Sequence, residues 1–262
     1  MEYEGVALTF EAQLATITLN DPERLNALTP PMVRSIDRAL WEVRKPRRKV
    51  RALLITGAGR GFCAGANLFA AKSDGAAVDT SSVVESVYHP MIRRLRDVEV
   101  PVIAAVNGPA VGVGFAISLM ADYLLAAEEA YFLAPFRNLA SGPDCGLTWL
   151  LPRAIGPARA REVLMLGARL PAAKAQAWGM VNEVAPASDL PALAHERAMA
   201  LAAGPTVSLS VMRRLFQTSA SSTLDAHLED EARGVSRTVW TRDNATALRA
   251  FGSKTPVDFV GE

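Results

Sequence analysis

The sequence has few of the features that mark secreted, membrane or nucleic-acid-binding proteins. Among its 262 residues are two cysteines, Cys63 and Cys145, which are too few for a disulfide framework and are typical of a reduced, cytoplasmic protein. The 28 lysines and arginines nearly balance the 27 aspartates and glutamates, so the net charge of +1 gives no overall field that would attract nucleic acid. The acidic segment Met1–Glu4 lacks the apolar stretch of a signal peptide, and we expect none.

Long hydrophobic runs are also scarce. The stretch Val100–Ala121 carries no charge and is long enough to cross a bilayer. It is interrupted by residues that break or bend helices, namely Pro101, Asn107, Gly108, Pro109, Gly112 and Gly114. This pattern predicts a buried strand, a glycine-rich turn and the start of a helix, so we expect no membrane partner.

Apolar residues make up 50% of the chain, which is enough for a large buried core. Short apolar or alternating runs predict strands at Val6–Phe10, Leu14–Asn20, Ala52–Thr56 and Val102–Val106. A proline in a favoured first-turn position opens a predicted helix at Pro31–Val43. Strands that alternate with helices in this way indicate an α/β sheet with crossover connections.

The remainder of the chain, from about Arg153, is predicted to be almost wholly helical. The predicted helices are Pro157–Leu166, Ala172–Trp178, Leu190–Ala203, Thr206–Ser219, Thr223–Val239 and Asn244–Phe251. We therefore expect an α/β core over residues 1–200 and a helical C-terminal region over residues 201–262.

Two polar segments lie between predicted elements. The basic run Arg44–Lys49 connects a helix to a strand, and it is either a solvated connection or a phosphate-binding patch. The small polar residues of Lys72–Ser82 predict a mobile loop. The sequence contains no spacing typical of a metal site or of a nucleotide-binding P-loop.

Two glycine-rich turns each follow a buried strand and precede a helix. They span Gly61–Leu68 and Asn107–Phe115. At such a junction the first N–H groups of the helix lack partners and lie at the positive end of its dipole. Two turns brought together would direct two N–H donors at one point, an oxyanion hole suited to the negative oxygen of an enolate or a tetrahedral intermediate. A dinucleotide-binding fingerprint fits less well, since the second turn lacks its full glycine spacing.

Taken with the segment Arg24–Leu28, the two turns resemble those of the crotonase (enoyl-CoA hydratase/isomerase) superfamily. The resemblance runs nearly end to end, through Gly179–Val184 to Ala250–Phe251, Lys254 and Phe259. It implies a crotonase-like core built as a spiral of ββα units, a helical C-terminal trimerisation region, and a homotrimer or a dimer of trimers. It also implies an acyl-CoA thioester as substrate, with no cofactor beyond the CoA moiety.

The resemblance assigns roles to residues at matching positions. The N–H groups of Ala66 and Val113 would hold the thioester oxygen, and valine is compatible with this because its backbone donates. Phe251 and Lys254 would reach the CoA bound by a neighbouring subunit. Apart from the resemblance, the aromatic side chain of Phe136 suggests an apolar acyl pocket. The positions along which CoA would lie are Arg24, Ala27, Ala64, Ala66 and Leu68.

The proton chemistry departs from the hydratase pattern. Hydratases of the superfamily use two glutamates, whose matching positions here hold Ala116 and Phe136. Because neither side chain can activate water, the sequence argues against ordinary water addition.

A carboxylate does follow in the loop Ser141–Arg153, at Asp144. This loop resembles that of superfamily isomerases, including the dienoyl-CoA isomerases and the ring-1,2-epoxyphenylacetyl-CoA isomerase. There an aspartate at this position shuttles a proton, and a single base is well suited to a 1,3-shift of a double bond. The alternative is that Asp144 caps a helix that begins near Cys145.

His89 supports a different hypothesis. His89 and Asp144 match the histidine base and the nucleophilic aspartate of the 4-chlorobenzoyl-CoA dehalogenase branch. Phe136, however, stands where that branch has tryptophan, and His89 is also explained as an ordinary residue on a helix face. Cys145 is interpreted as a small packed thiol rather than a nucleophile.

The sequence thus predicts an acyl-CoA enzyme that moves a double bond by enolate chemistry, with Asp144 as both acid and base. An enoyl-CoA hydratase is the runner-up. A catalytically silent acyl-CoA-binding protein is a third hypothesis.

Overall fold

The computed structural model describes residues 3–67 and 80–262. In this part of the chain, strands form a main sheet and a smaller one. The strands are β1 (Val6–Glu11), β2 (Leu14–Leu19), β3 (Ala52–Gly57), β4 (Val102–Val106), β5 (Ala110–Val111), β6 (Tyr123–Ala127), β7 (Tyr131–Leu133), β8 (Leu170–Pro171) and β9 (Glu183–Ala185). The main sheet has the order β1-β2-β3-β4-β6-β9, and the smaller sheet has the order β5-β7-β8.

Strand direction in the main sheet decides where its functional edge lies. Apart from the antiparallel hairpin of β1 and β2, all its neighbouring strands are parallel. The register pairs Ile55 of β3 with Ala104 of β4, and all five residues of β4 are buried. The carboxyl ends of β3 and β4, at Gly57 and Val106, therefore meet at one edge, and each leads into one of the glycine-rich turns.

Helices cover the sheets. They are α1 (Pro30–Val43), α2 (Thr80–Val83), α3 (His89–Arg96), α4 (Val113–Leu119), α5 (Leu147–Ile155), α6 (Pro157–Leu166), α7 (Ala172–Ala177), α8 (Leu190–Ala202), α9 (Thr206–Ser219), α10 (Leu224–Thr238) and α11 (Arg242–Ser253). A π-helical turn over Val84–Tyr88 joins α2 to α3. Helix α8 packs across β3, β4 and β6, so the core lies between the main sheet and this helix on one side.

The first long helix shows how local sequence sets an element. The side chain of Thr29 accepts the N–H of Met32 at 3.3 Å, and a proline follows at the first helical position. Met32, Ile36 and Leu40 recur at helical spacing, and all three are buried in the core. Burial of each side chain contributes about 1.5–3 kcal/mol to folding.

A buried arginine fixes α9 to the sheet. Arg213 is 4% exposed and donates to the carbonyl oxygens of Leu95 at 3.1 Å and Val98 at 3.0 Å. It also forms an ion pair with Asp122, which directly precedes β6. Helix α9 is therefore tied to the segments that lead into β4 and β6.

The last residues of the chain fold back onto the core. Arg51, which directly precedes β3, donates to the carbonyl oxygen of Phe259 at 2.9 Å. Asp243 in α11 accepts the N–H groups of Val260 at 2.7 Å and Gly261 at 2.9 Å. We call residues 259–261, with Arg51 and Asp243, the tail clasp.

Most predicted elements are confirmed within two residues at each end, but the expectation of an almost wholly helical region after Arg153 was wrong. Strands β8 and β9 lie within it, and β9 completes the main sheet by pairing with β6. Strands of two or three residues are too short to show an alternating pattern, so pairing rather than periodicity defines them.

The two remaining sequence predictions concern a loop and a membrane span. The predicted loop Lys72–Ser82 lies mostly outside the described residues, and its last residues, 80–82, begin α2 instead. The uncharged stretch Val100–Ala121 forms β4 and α4, as predicted, and the predicted turn between them also contains the short strand β5. Over residues 3–67 and 80–262, no helix is both long enough and apolar enough to cross a membrane.

Candidate active site

The two glycine-rich turns lie in direct contact. A Cβ atom added to Gly114 would lie 2.6 Å from the carbonyl oxygen of Cys63, and one added to Gly65 would lie 3.2 Å from that of Val111. The glycine at position 114 therefore permits a close approach that any other residue would prevent. The structure brings together the two segments that the sequence predicted to meet.

Backbone hydrogen bonds hold the two turns in register. The N–H of Cys63 donates to the carbonyl oxygen of Pro109 at 2.9 Å, and the N–H of Val111 donates to that of Cys63 at 2.8 Å. On its other side, the first turn pairs with Leu28. Leu28 donates to the carbonyl oxygen of Gly65 at 2.7 Å and accepts from the N–H of Asn67 at 2.9 Å. The first turn is thus held between the segment 24–28 and the second turn.

This arrangement leaves two N–H groups available. Ala66 lies opposite Leu28 in the bridge, but the bridging bonds are made by its neighbours, so its own N–H faces away. Val113 is the first residue of α4, where an N–H has no partner within the helix. Neither N–H has a backbone acceptor among the residues that the structure describes.

Gly112 sets the direction of the second donor. It precedes α4 with φ +52° and ψ −115°, a backbone conformation that essentially only glycine adopts. Among residues 3–67 and 80–262, a Cβ atom at this position would meet nothing within 4 Å, so within this part of the chain the requirement for glycine is conformational rather than steric. The chain can enter α4 with the N–H of Val113 directed outward only if this residue is glycine.

A buried asparagine that sequence reasoning did not single out supports the first turn. Asn26 is fully buried with φ +57°, and its side-chain amide donates to the carbonyl oxygens of Gly61 at 2.7 Å and Ala58 at 3.0 Å. Its side-chain oxygen accepts the N–H of Asp21 at 2.8 Å. The signal available in the sequence was the residue type, because asparagine tolerates the left-handed region and bonds to nearby backbone.

The loop before α5 carries Asp144. Helix α5 begins at Leu147, with Gly146 at its N-cap and no side-chain cap hydrogen bond. The alternative that Asp144 caps a helix beginning near Cys145 was therefore wrong. Cys145 and Gly146 both have positive φ, at +51° and +81°, so helical geometry cannot begin until after them.

The carboxyl of Asp144 has an unusual environment. Its Oδ1 atom is buried and has no hydrogen-bond partner within the described part of the chain. Burial raises the pKa of Asp144, while a hydrogen bond from Cys145 and the nearby charge of His89 oppose that rise. A carboxyl with one unpaired oxygen and a raised pKa is suited to accept and return a proton.

Tyr88 and His89 flank this carboxyl. The hydroxyl of Tyr88 donates to the carbonyl oxygen of Leu28 at 3.1 Å, which connects the start of α3 to the segment beside the first turn. Burial, followed by electrostatic interactions with Cys145 and Asp144, raises the pKa of Tyr88 to about 12. The electrostatic interactions of Asp144 with His89 and of Tyr88 with Asp144 and Cys63 place these residues close together beside the first turn. Proximity of His89 to Asp144 is required only by the dehalogenase-type hypothesis.

The two cysteines are buried thiols. Cys63 is fully buried and Cys145 is 1% exposed, and both are free. Burial raises the pKa of Cys63 to about 12 and raises that of Cys145 as well. Because the nucleophilic form is the thiolate, these environments agree with packed thiols.

No carboxylate occupies the two positions at which family hydratases have glutamate. Ala116 is fully buried in α4, and Phe136 is buried in the 3-10 turn Pro135–Leu139. Both positions are thus part of the packed interior, and Phe136 presents an aromatic surface there.

The residues expected to hold CoA fall into three groups. Ala64 and Ala27 are half-buried in the first turn and the segment beside it, where Ala64 donates to the carbonyl oxygen of Leu25 at 2.9 Å. Arg24 is exposed and pairs with Asp21 at 3.2 Å, and Leu68 lies outside the described residues. Phe251 is 87% exposed on α11, and Lys254 follows that helix at its C-cap.

Metal binding has no candidate in the described ranges. Among residues 3–67 and 80–262, no group of three or more His, Cys, Asp or Glu side chains is placed to hold a metal ion.

Comparison with known sequences identifies relatives of the whole chain. A family model described as enoyl-CoA hydratase/isomerase matches residues 9–262. The 1,2-epoxyphenylacetyl-CoA isomerase of Escherichia coli is 39% identical over 254 residues, which are 96% of this chain and 97% of the relative. A protein of Rhodobacter capsulatus named as a probable enoyl-CoA hydratase is 34% identical, covering 100% of both chains.

Solved structures agree with this assignment. An enoyl-CoA hydratase/isomerase from Cupriavidus metallidurans superimposes with a TM-score of 0.91 at 28% identity, covering 100% of this chain and 98% of the other. An enoyl-CoA hydratase from Polaromonas gives a TM-score of 0.90 at 32% identity, covering 97% and 99%. These neighbours confirm the predicted crotonase-type α/β fold. The chain belongs to the enoyl-CoA hydratase/isomerase family.

Proposed function

We propose that this protein moves a carbon–carbon double bond within an acyl-CoA thioester, with Asp144 as the single acid and base. The observation that carries the proposal is the environment of Asp144. Its side chain does not cap α5, one of its oxygens has no hydrogen-bond partner among the described residues, and burial raises its pKa. A structural aspartate would normally have its buried oxygens satisfied.

The proposed reaction passes through an enolate. With a 3-enoyl-CoA, the Asp144 carboxylate removes a proton from C2, and the electron pair of that bond moves into the thioester carbonyl. The N–H groups of Ala66 and Val113 hold the resulting negative oxygen. Asp144 then returns the proton to C4, the C3–C4 double bond shifts to C2–C3, and the carbonyl re-forms. No other reactant is consumed.

The substrate would bind along the first turn. We propose that CoA follows Arg24, Ala27, Ala64 and Leu68, and that Phe136 forms part of the wall around an apolar acyl group. The relative from Escherichia coli, named as an isomerase of 1,2-epoxyphenylacetyl-CoA, supports an isomerase with room for a bulky acyl chain. No cofactor beyond the CoA moiety of the substrate enters this scheme.

Hydration is the second candidate, since the relative from Rhodobacter capsulatus is named a probable enoyl-CoA hydratase. Water addition needs a group that activates water while another protonates carbon. The matching positions here, Ala116 and Phe136, hold no ionisable group. We therefore rank double-bond isomerisation first.

Oligomer formation is proposed for the C-terminal helices of residues 201–262. Large apolar side chains are exposed there, namely Leu224, Leu228, Val235, Trp240, Leu248 and Phe251. Exposed apolar surface of this extent marks an interface. We propose a homotrimer or a dimer of trimers, in which Phe251 and Lys254 reach the CoA of a neighbouring subunit, and a cytoplasmic location that suits two free thiols.

The decisive experiment is product analysis by mass spectrometry in heavy water, with a 3-enoyl-CoA and the matching trans-2-enoyl-CoA. We expect a shifted double bond with deuterium exchange and no added water. Asp144→Asn should abolish this turnover and leave CoA binding unchanged.

Three outcomes would contradict the proposal. Addition of water to the 2-enoyl substrate would make the protein a hydratase. Full turnover by the Asp144→Asn protein would remove Asp144 from the mechanism. No reaction with either substrate would favour a silent acyl-CoA binder.

A further inference from the structure

A cavity of about 290 Å³ lies at the end of the main sheet opposite the candidate active site. The turn after α1, the segment before β4 and the start of α9 line it. Strands β3 and β4 begin beside this cavity and end at the glycine-rich turns. Since five or six residues of strand span roughly 17 Å, the cavity is separate from the candidate active site.

The cavity has a positive lining. Arg44, Lys45, Lys49 and Arg237 line it, and Glu99 is the acidic residue among the described lining residues. Lys45 pairs with Glu42, whereas Arg44, Lys49 and Arg237 have no ion pair within residues 3–67 and 80–262. Three cations are therefore available to a ligand.

The basic run Arg44–Lys49 thus divides into two sets. Arg47 and Arg48 contact the buried carboxylate of Glu42 at 2.8 Å and 2.6 Å, and these hydrogen bonds, with that from Lys45, lower the pKa of Glu42 to about 2. This set stabilises the turn after α1. The remaining two cations of the run, Arg44 and Lys49, line the cavity and do not pair with Glu42.

The first turn of α9 supplies donors to the same cavity. Thr206 and Val207 line it at the first positions of this 14-residue helix, which no side chain in the described ranges caps. Their N–H groups lie at the positive end of the helix dipole and have no intrahelical acceptor. Helix N-termini of this kind bind phosphate and related anions.

Ser210 provides an independent observation that points to a ligand. It lines the cavity one turn further along α9, it is 8% exposed, and its hydroxyl has no hydrogen-bond partner in the described part of the chain. Because this oxygen is not among the fully buried atoms that lack a partner in the described residues, it is open to the cavity and can donate to a group bound there.

We propose that this cavity is a second binding site, specific for a phosphate group, either free or as the monoester of a small molecule. The N–H groups that begin α9 and the hydroxyl of Ser210 donate to the phosphate oxygens, and Arg44, Lys49 and Arg237 neutralise its charge. The volume is close to the roughly 300 Å³ at which pockets for small organic ligands begin.

The test is calorimetric titration of the full chain with inorganic phosphate and, separately, with glycerol phosphate. We expect saturable binding of one phosphate per chain that weakens as salt is raised. Ser210→Ala should weaken it about tenfold, the usual effect of a lost hydrogen bond to a charged group. Lys49→Gln should weaken it about threefold.

The comparison of the two titrations identifies the ligand. Tighter binding of glycerol phosphate than of inorganic phosphate identifies an ester as the ligand, and equal or weaker binding identifies free phosphate.

Two matched variants serve as controls. Ser208→Ala removes a hydroxyl from the same helix without touching the cavity lining, and Arg161→Gln removes an exposed cation from α6, away from the cavity. Both should bind phosphate like the unaltered protein. The proposal is overturned if phosphate does not bind, or if Ser210→Ala and Ser208→Ala proteins of equal thermal stability bind it equally well.

Discussion

Asp144 holds its proton more tightly than an ordinary aspartate, because burial raises its pKa by disfavouring the charged carboxylate. Below the pKa of the unfolded chain, about 4, the carboxyl is protonated in both states and carries no penalty. As the pH rises through the higher pKa of the folded state, ionisation costs the folded protein stability. The group that we assign to proton transfer is thus one whose charge opposes folding.

Replacing this aspartate with asparagine should therefore stabilise the protein at neutral pH. Because an asparagine side chain cannot ionise, the Asp144→Asn protein should unfold at a higher temperature than the unaltered protein at pH 7, and the difference should vanish near pH 3. Thermal unfolding across this range measures it. Asp258→Asn, at an exposed aspartate, is the control and should show a small difference throughout. A difference for Asp144→Asn that does not grow with pH would contradict the burial argument.

The start of α4 directs the N–H of Val113, the second proposed donor, and its conformation depends on Gly112. Gly112→Ala places no atom in contact with any neighbour that the structure describes, so its effect reports on backbone conformation. We expect a loss of about 1–3 kcal/mol in the free energy of unfolding and a larger proportional loss of turnover, since Val113 would rotate. Denaturant unfolding and the rate with a 3-enoyl-CoA measure the two effects.

Gly142→Ala is the matched control for stability. Gly142 also has open space around its Cβ position, but its φ is not positive. Its substitution should leave the free energy of unfolding within about 0.5 kcal/mol of the original. If the two substitutions have equal effects, the strained conformation of Gly112 is not what α4 requires.

Elements with regular patterns could be predicted from the sequence, whereas features set by tertiary contacts could not. β4 is a continuous buried run, and α6 and α9 have clear starts, so their limits follow from local sequence. β9, by contrast, is defined by its pairing with β6, which a local sequence pattern does not show. The role of Asn26 depends on carbonyl groups 32 and 35 residues further along the chain. The loop around Asp144 resembles that of known isomerases, and this resemblance located the candidate base. No local pattern predicted that the next residue, Cys145, has a left-handed conformation.

At the scale of the molecule, docking of the C-terminal helices depends on Arg213. Arg213→Met would leave Asp122 and the carbonyl oxygens of Leu95 and Val98 without their donor. Removing one partner from a buried ion pair costs about 3–5 kcal/mol, and we expect a loss of this size in denaturant unfolding. Arg214→Met is the control, since Arg214 is exposed on the same helix and should change stability by less than about 1 kcal/mol. Equal losses for the two variants would show that Arg213 does not anchor α9.

The tail clasp has a consequence for how the chain folds as it is made. The hydrogen bond between Arg51 and Phe259 joins positions 208 residues apart. At synthesis rates of about 5–20 residues per second, residue 259 is added roughly 10–40 seconds after residue 51. During that interval the start of β3 lacks one of its native partners, so the contact between Arg51 and Phe259 forms long after β3 has been synthesised.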